Sequence, residues 1–401
     1  MEMTGPTSAA LEAYERSLRA LWTMSGEVLA QAEASVRLAP SFVAGHQLIA
    51  TLLLLGRDKR GAKRGLAVLA ELEGLPMNDR ERAHLRALRA ARDGDLAAAR
   101  GVYDALLADE PRDAVALWAA QVIDYYLGDS NMLRARVERV LPAWTPGMAG
   151  RHAVLAMHAF GLEESGEYEA AEAAAREALE LEPADRRALH ALFHVFEMQS
   201  RPLAGIRLAS ARKETLPNHL WWHTALFHMQ LGRADRSLSI YDKRLRFDDL
   251  DDLIDASSLL WRLQLAGVDV GTRFERLAEH WAPYAEDAFC AFNDLHAMMA
   301  FASARRWPLA ERLIAALERR VAQGWGANKD MTRLVGLPAA RALYALMRGH
   351  AGKAESLLRG LPPVAHRIGG SHAQRDVIQL TRAAAAIAAR QSRFLSNRVA
   401  A

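Results

Sequence analysis

The stretch from Arg151 to Pro183, RHAVLAMHAFGLEESGEYEAAEAAAREALELEP, decides the fold class. Apolar residues recur in it at helical spacing on both sides of a turn that Gly166 and Tyr168 mark. Ala171 and Ala178 are small, as close packing between two helices requires. The stretch therefore predicts a hairpin of two helices joined by a tight turn.

Proline and glycine return at regular intervals along the first part of the chain. Proline suits the start of a new helix, because it has no N–H group that would need a partner there. It recurs every 34 to 37 residues, at Pro40, Pro76, Pro111, Pro146, Pro183 and Pro217. Glycine, which suits the turn inside a hairpin, recurs at Gly56, Gly94, Gly128, Gly166 and Gly232. A period of about 34 residues is that of tetratricopeptide repeats, so the sequence predicts an all-α, right-handed superhelix of helix–turn–helix repeats.

The later part of the chain keeps helical patterns but loses the regular spacing. We predict regular repeats at about 8–246 and degenerate repeats that close the superhelix at 250–392. Alternating β-branched runs, which would indicate strands, are almost lacking. Because no linker rich in Ser, Gly and Pro interrupts the chain, we predict a single α-helical repeat domain over residues 1–401.

Composition and charge narrow the class of protein. Hydrophobic residues make up 51% of the 401 residues and charged residues 25%, which is ordinary for a folded soluble chain. A formal net charge of +3 is small for this length, so we expect no nucleic-acid partner. The apolar run Leu48–Leu55 is too short to cross a bilayer, and the N-terminus lacks the pattern of a secretory signal. We therefore expect no membrane partner. Cys290 is the single cysteine, which is typical of a reducing compartment, so we predict a cytoplasmic protein.

Titratable residues concentrate between Leu189 and Gln230. They share one face on the first helices of two successive predicted repeats: His190, His194 and Glu197 at i, i+4 and i+7, then His219 and His223 at i, i+4, with Trp222 beside them. Core packing seldom needs so many such groups. We predict that they line a concave polar pocket as acid–base groups or ligand contacts. The alternative is a set of hydrogen-bonded wall residues without chemistry.

The same histidines fit a metal site. His190 and His194 could hold one divalent ion, with Glu197 or His223 completing the coordination. No HExxH or CxxC motif supports this interpretation, and histidines four residues apart are common in helices by chance. The sequence therefore favours no cofactor, and the divalent metal stays an alternative.

A second polar cluster comprises Asn293, Asp294 and His296. An aspartate beside a histidine can orient its ring and fix its tautomer, so we predict Asp294 and His296 as acid–base residues and Asn293 as a ligand contact. The alternative is that Asn293 or Asp294 caps the start of a helix, where a side-chain oxygen accepts from a backbone N–H group.

The segment from Gly369 to Asp376 combines a turn with a predicted helix start. Gly369-Gly370-Ser371 resembles a nucleophile elbow, but the preceding residues are a poor strand. Ser371 and Gln374 have the spacing of a capping box instead. The backbone N–H groups at a helix start suit an anion, and Arg375 could add a fork for a carboxylate. We therefore predict that four residues contact the ligand here: Ser371, Gln374, Arg375 and Asp376.

Several unusual stretches resemble one family of helical-repeat proteins. They are SFVAGH (Ser41–His46), AWTPG (Ala143–Gly147), ALHALFHVFEM (Ala188–Met198), NHLWWH (Asn218–His223), LLWRLQLAGVDVG (Leu259–Gly271), AFNDLHAMMA (Ala291–Ala300), LVGLPAARAL (Leu334–Leu343) and RIGGSHAQRDV (Arg367–Val377). The chain is similar in them to the tetratricopeptide repeat protein 38 family, from about Ser41 to Val377. The resemblance implies an α-helical superhelix and supplies no reaction or substrate. His372 departs from the family pattern, so we give it no role.

Two function classes follow. In the first, His46 joins the groups above in an internal pocket that binds a small, acidic molecule and transforms it by acid–base chemistry. This interpretation places His194, His223, His296 and Arg375 in one cavity. In the second, the chain is a scaffold that grips a partner peptide in its concave groove. Peptide-gripping repeats favour rows of Asn, Lys and Arg, and this chain has only six lysines, which favours the small-molecule pocket.

Overall fold

The computed structural model of this protein describes residues 2–24 and 26–399, and the side chains among them up to residue 392. These residues form 22 α-helices, joined by short turns and brief 3₁₀ or π segments, and the described part of the chain contains no strand. The prediction of an all-α chain of helix–turn–helix repeats is confirmed. None of the described helices is long and apolar enough to span a membrane.

The chain divides into two compact units, Met1–Val195 and Phe196–Ala401. The single domain predicted over residues 1–401 stays a prediction. The helices of the first unit are α1 (Ser8–Thr23), α2 (Val28–Leu38), α3 (Val43–Leu54), α4 (Lys59–Glu73), α5 (Asp79–Arg92), α6 (Leu96–Asp109), α7 (Ala114–Leu127), α8 (Ser130–Val140), α9 (Arg151–Glu164), α10 (Tyr168–Leu181) and most of α11 (Arg186–Met198).

The second unit begins at the end of α11. Its helices are α12 (Pro202–Ala211), α13 (Asn218–Gln230), α14 (Ala234–Arg244), α15 (Leu250–Leu265), α16 (Arg273–Trp281), α17 (Ala291–Ser303), α18 (Trp307–Gln323), α19 (Gly326–Met331), α20 (Leu337–Met347), α21 (Ala351–Leu358) and α22 (His372–Val399). A π segment, Thr332–Gly336, joins α19 to α20, and a 3₁₀ segment, Pro362–Ile368, precedes α22.

Local signals set the helix ends. Asp95 and Asp113 accept hydrogen bonds from the first-turn N–H groups of α6 and α7, so their side chains cap these helices. Gly166 adopts a φ of +82° in the turn between α9 and α10, a conformation that favours glycine. Where the glycine rhythm lapses after α11, Ser200 itself adopts a φ of +54°. The turn after α11 therefore keeps the positive φ although a serine stands in place of the glycine.

Neighbouring helices in each unit pack along apolar faces. In the first unit α9 packs on both α8 and α10, and Gly161 lets the backbones of α8 and α9 approach closely. In the second unit three fully buried tryptophans, Trp222, Trp261 and Trp281, lie in one core. The indole N–H of Trp261 donates to Thr381 and that of Trp281 to Ser257, both at 2.8 Å. These bonds satisfy the polar atoms that burial would otherwise leave without a partner.

Candidate functional site

The second unit pairs the two histidines of α13 with carboxylates. Nδ1–H of His223 donates to Oε2 of Glu197 at 2.7 Å, and Nδ1–H of His219 donates to Asp255 at 2.9 Å. The rings of His219 and His223 lie 4.9 Å apart at a steep angle. A carboxylate that accepts at Nδ1 fixes the ring orientation and leaves the acceptor character at Nε2. In its neutral form, a ring held in this way could accept a proton or bind a metal at Nε2. The acid–base role predicted for His223 and the ligand contact predicted for His219 stay predictions.

Trp222 and Arg262 extend this group of residues. The indole of Trp222 stacks on the ring of His219 at 5.2 Å, and the guanidinium of Arg262 lies 5.5 Å from the Trp222 ring. Arg262 is buried, donates to the carbonyl of Ala373 at 2.7 Å and pairs with Asp376. Arg262 therefore links α13 to the start of α22. The ligand contact predicted for Asp376 stays a prediction.

The sequence interpretation missed Asp255 and Arg262. A signal for Arg262 was present, because this arginine interrupts the otherwise apolar run LLWRL of α15. A charge at a buried helix position normally needs a partner. Asp255 offered no comparable signal, since it belongs to an acidic stretch that also suits a helix start.

The structure brings α17 and the Gly369–Asp376 segment into contact. Gly370 packs so closely on Phe292 that a Cβ would lie 2.5 Å from the ring, and Phe292 in turn lies against His296. His296 is fully buried, and its Nδ1–H donates to the carbonyl of Phe292 at 2.8 Å. Asn293 and Asp294 are buried in the first turn of the same helix. Their predicted ligand and acid–base roles stay predictions.

The start of α22 has the polar contacts of a helix cap. Oε1 of Gln374 accepts from the backbone N–H of Ser371 at 3.1 Å, which is one half of the predicted capping box. Arg375 donates to the carbonyl of Gly370. Ser371 and Gln374 are both buried. The ligand contacts predicted for these three residues stay predictions.

In the first unit the two histidines of α11 lie against α9. Nε2 of His190 and Nε2 of His194 are 2.9 Å apart, and Nδ1 of His194 lies 3.4 Å from Oε2 of Glu163. Phe160 stacks on His190. Glu197 is also on α11 but belongs to the second unit, where its carboxylate accepts a hydrogen bond from His223. The divalent metal at His190, His194 and Glu197, and the cavity shared by His194, His223, His296 and Arg375, stay predictions.

A further histidine–aspartate link recurs between first helices of successive repeats. Nε2–H of His84 on α5 donates to Asp113 at 2.8 Å, and Nδ1–H of His152 on α9 donates to Asp185 at 2.6 Å. Asp113 caps α7, and Asp185 accepts from two N–H groups at the start of α11. The sequence interpretation missed both links. The first link joins α5 to the start of α7, and the second joins α9 to the start of α11.

The pKa of the Asp113 carboxyl is strongly perturbed. Burial by itself would raise its pKa, but the charges and hydrogen bonds of His84 and Arg80 outweigh burial and hold the pKa well below the ordinary value. Arg80 donates to the same carboxylate oxygen at 2.7 Å. His46 bonds through Nε2 to the carbonyl of Pro40 at 2.9 Å, and its role as a ligand contact stays a prediction.

Each unit also carries a surface groove. In the first unit a groove of about 600 Å³ runs between α5 and α6. Its floor consists of small and apolar residues, Ala83, Ala98, Gly101, Val102, Ala105 and Leu106, and its rim is charged, with Asp79, Arg86, Asp109 and Glu110. Arg80 also lines the groove, but its guanidinium pairs with the buried Asp113. A smaller groove of about 230 Å³ lies among α12, α13 and α14 in the second unit.

Comparison with known proteins adds little to this description. No family model matches the chain. Among solved structures, the crystal structure of the P58(IPK) TPR domain matches at 16% sequence identity, over 96% of this chain and 99% of that chain, with a TM-score of 0.22. A TM-score that low supports no argument about fold. The assignment as a tetratricopeptide-like helical-repeat protein rests on the helix hairpins and on the spacing of their turns.

Proposed function

We propose that this protein is an interaction scaffold that holds an amphipathic helix of a partner protein in the groove between α5 and α6. The observation that carries the proposal is the groove itself, with its apolar floor and its charged rim. Specific protein interfaces have the same division into an apolar centre and a polar edge. The volume of about 600 Å³ is in the range of sites that bury several side chains.

The floor of the groove favours a helix as the occupant. Ala98, Gly101 and Ala105 present almost no side chain, and a Cβ added at Gly101 would meet no atom within 4 Å. A partner helix can therefore lie close to α6 and place its apolar residues against Val102 and Leu106. The rim carries both signs of charge, so the polar face of the partner should carry both signs as well.

Filling the groove should abolish peptide binding. The probes are 12-residue peptides selected from a random phage-displayed library on the purified chain, and their affinity is measured by fluorescence anisotropy. We expect amphipathic sequences to be selected and the variant Gly101→Trp to weaken their binding at least about tenfold, a loss of roughly 1.4 kcal/mol.

Gly352→Trp is the matched control, because Gly352 lies on α21 and its Cβ would also meet open space. This variant should bind the peptides like the unchanged chain. Equal affinity in both tryptophan variants would rule out the groove as the binding site. A selection that yields no binding peptide would rule out the scaffold function.

A second candidate function is binding of a small acid with acid–base chemistry, which the two histidine–carboxylate pairs of α13 favour. A panel of small carboxylic acids would be screened for thermal stabilisation of the chain. A bound acid at a hundredfold excess over its Kd should raise the free energy of unfolding by about 2.7 kcal/mol. His223→Asn should lose this response, while His280→Asn, at an exposed position on α16, should keep it. An unchanged response in His223→Asn would exclude the pair as the site.

The resemblance to the tetratricopeptide repeat protein 38 family belongs with these proposals. We propose membership of that family on stretches such as NHLWWH and RIGGSHAQRDV. The cytoplasmic location is likewise a proposal, which rests on the composition and on Cys290 as the single cysteine.

A further inference from the structure

We propose that His219 and His223 of α13 bind a divalent transition-metal ion, with Asp255 and Glu197 as the carboxylates that orient them. This site goes beyond the scaffold function and does not depend on it. It also differs from the alternative metal site at His190 and His194 that the sequence left open, because the two ligands here are His219 and His223, and Glu197 supports a ligand without being one.

The geometry of α13 places the two imidazoles for chelation. His219 and His223 are one helical turn apart, and a ring nitrogen of one lies within 4.8 Å of a ring nitrogen of the other. Two imidazole nitrogens on one tetrahedral zinc ion, at about 2.0 Å each, are roughly 3.3 Å apart. Chelation requires the ligand nitrogens of the two rings to reach that separation.

The carboxylates determine which nitrogen binds the metal. An ionised carboxylate can only accept, so Nδ1 of each ring carries a proton, and the neutral form of each ring has its lone pair on Nε2. Metal-binding histidines in proteins have this arrangement, in which a carboxylate holds the second nitrogen and makes the ligand more basic. Stacking of Trp222 on His219 restricts the ring further.

Charge balance favours a cation at this place. His223 is fully buried and Asp255 almost so, while the Glu197 side chain is 8% exposed. Both carboxylates lie in a region of low dielectric, where they would interact favourably with a cation held by the two imidazoles. Imidazole ligands select zinc, nickel, copper or iron over magnesium or calcium.

Solvent reaches the two histidines through the partly exposed side chain of His219. This side chain is 29% exposed, whereas that of His223 is not exposed at all. An ion can therefore reach the pair from the His219 side and keep water on its remaining coordination positions. An open position of this kind is typical of metal sites that also bind a ligand.

Elemental analysis and metal titration test the site. The chain is purified without a histidine tag, stripped with EDTA and titrated with Zn²⁺, and with Co²⁺ to follow its visible absorption. We expect about one equivalent bound, an affinity loss of at least about tenfold in the double variant His219→Asn/His223→Asn, and a loss of about 10- to 100-fold in Glu197→Gln.

The double variant His280→Asn/His350→Asn removes two exposed histidines instead and should bind like the unchanged chain. Circular dichroism shows whether each variant folds. If the α13 double variant does not fold, His219→Asn alone, with its partly exposed ring, decides the outcome. A stripped chain that binds neither metal, or a folded α13 variant that binds as tightly as the control, would overturn the proposal.

Discussion

Replacing Asp113 with alanine should lower the free energy of unfolding by about 3–5 kcal/mol, because it removes one partner of a buried ion pair. The Asp113 side chain is fully buried and accepts from Arg80 and His84 at 2.7 and 2.8 Å. Without it, Arg80 and the His84 ring lose their anion in the interior of the first unit. The N-terminus of α7 also loses its cap. Urea denaturation followed by circular dichroism measures the change.

Asp95→Ala is the matched control for the cap. Asp95 caps α6 in the same way, with its side chain accepting from Ala98 at 2.9 Å, but it is exposed and forms no comparable buried pair. Loss of an exposed cap costs about 1 kcal/mol. If both variants lose the same stability, the buried pair contributes nothing beyond the cap.

The lowered pKa of Asp113 also determines how its contribution to the free energy of unfolding changes with pH. Because the pKa of Asp113 is lower in the folded chain than in the unfolded one, its contribution is fully present above the ordinary aspartate pKa of about 3.9. The contribution is lost as the pH falls below that value towards the folded pKa. The Asp113→Asn variant should therefore lose less stability on acidification than the unchanged chain does.

Replacing Gly161 with alanine should destabilise the first unit by about 1–3 kcal/mol, the usual cost of overpacking a dense interior. A Cβ at this position would lie 2.5 Å from the carbonyl oxygen of Leu133 and 2.8 Å from the Cα of Arg134. Both atoms belong to the backbone of α8, so no side chain can rotate away. The helices α8 and α9 would have to separate, and thermal and urea denaturation would report the loss.

Replacing Gly101 with alanine should instead raise the free energy of unfolding. Gly101 also lies inside a helix, but a Cβ there meets nothing within 4 Å. Alanine in a helix interior is more stable than glycine by about 0.5–1 kcal/mol. A stabilised Gly101→Ala beside a destabilised Gly161→Ala would separate helix propensity from close packing. Similar effects in both variants would show that the α8–α9 approach is not tight.

Helix positions and turns could be predicted from the sequence because their causes are local. Apolar spacing, the proline and glycine intervals and the aspartates before α6 and α7 act within one or two helical turns. The lapse in the glycine rhythm near Ser200 was visible as well. The left-handed conformation of Ser200 itself was not predictable from the local sequence, because residues other than glycine seldom adopt a positive φ.

The sequence by itself determined that this chain is all-α, that it consists of helical hairpins and that α11 and α13 concentrate histidines. Only the tertiary structure decided the partners of those histidines. Glu197 shares a face of α11 with His194 but accepts from His223, which is 26 residues away, and His219 meets Asp255 at a separation of 36 residues. The periodicity of a helix fixes which side chains share its face. The rotation and approach of the neighbouring helices decide what that face meets, and those depend on packing along the whole of each unit.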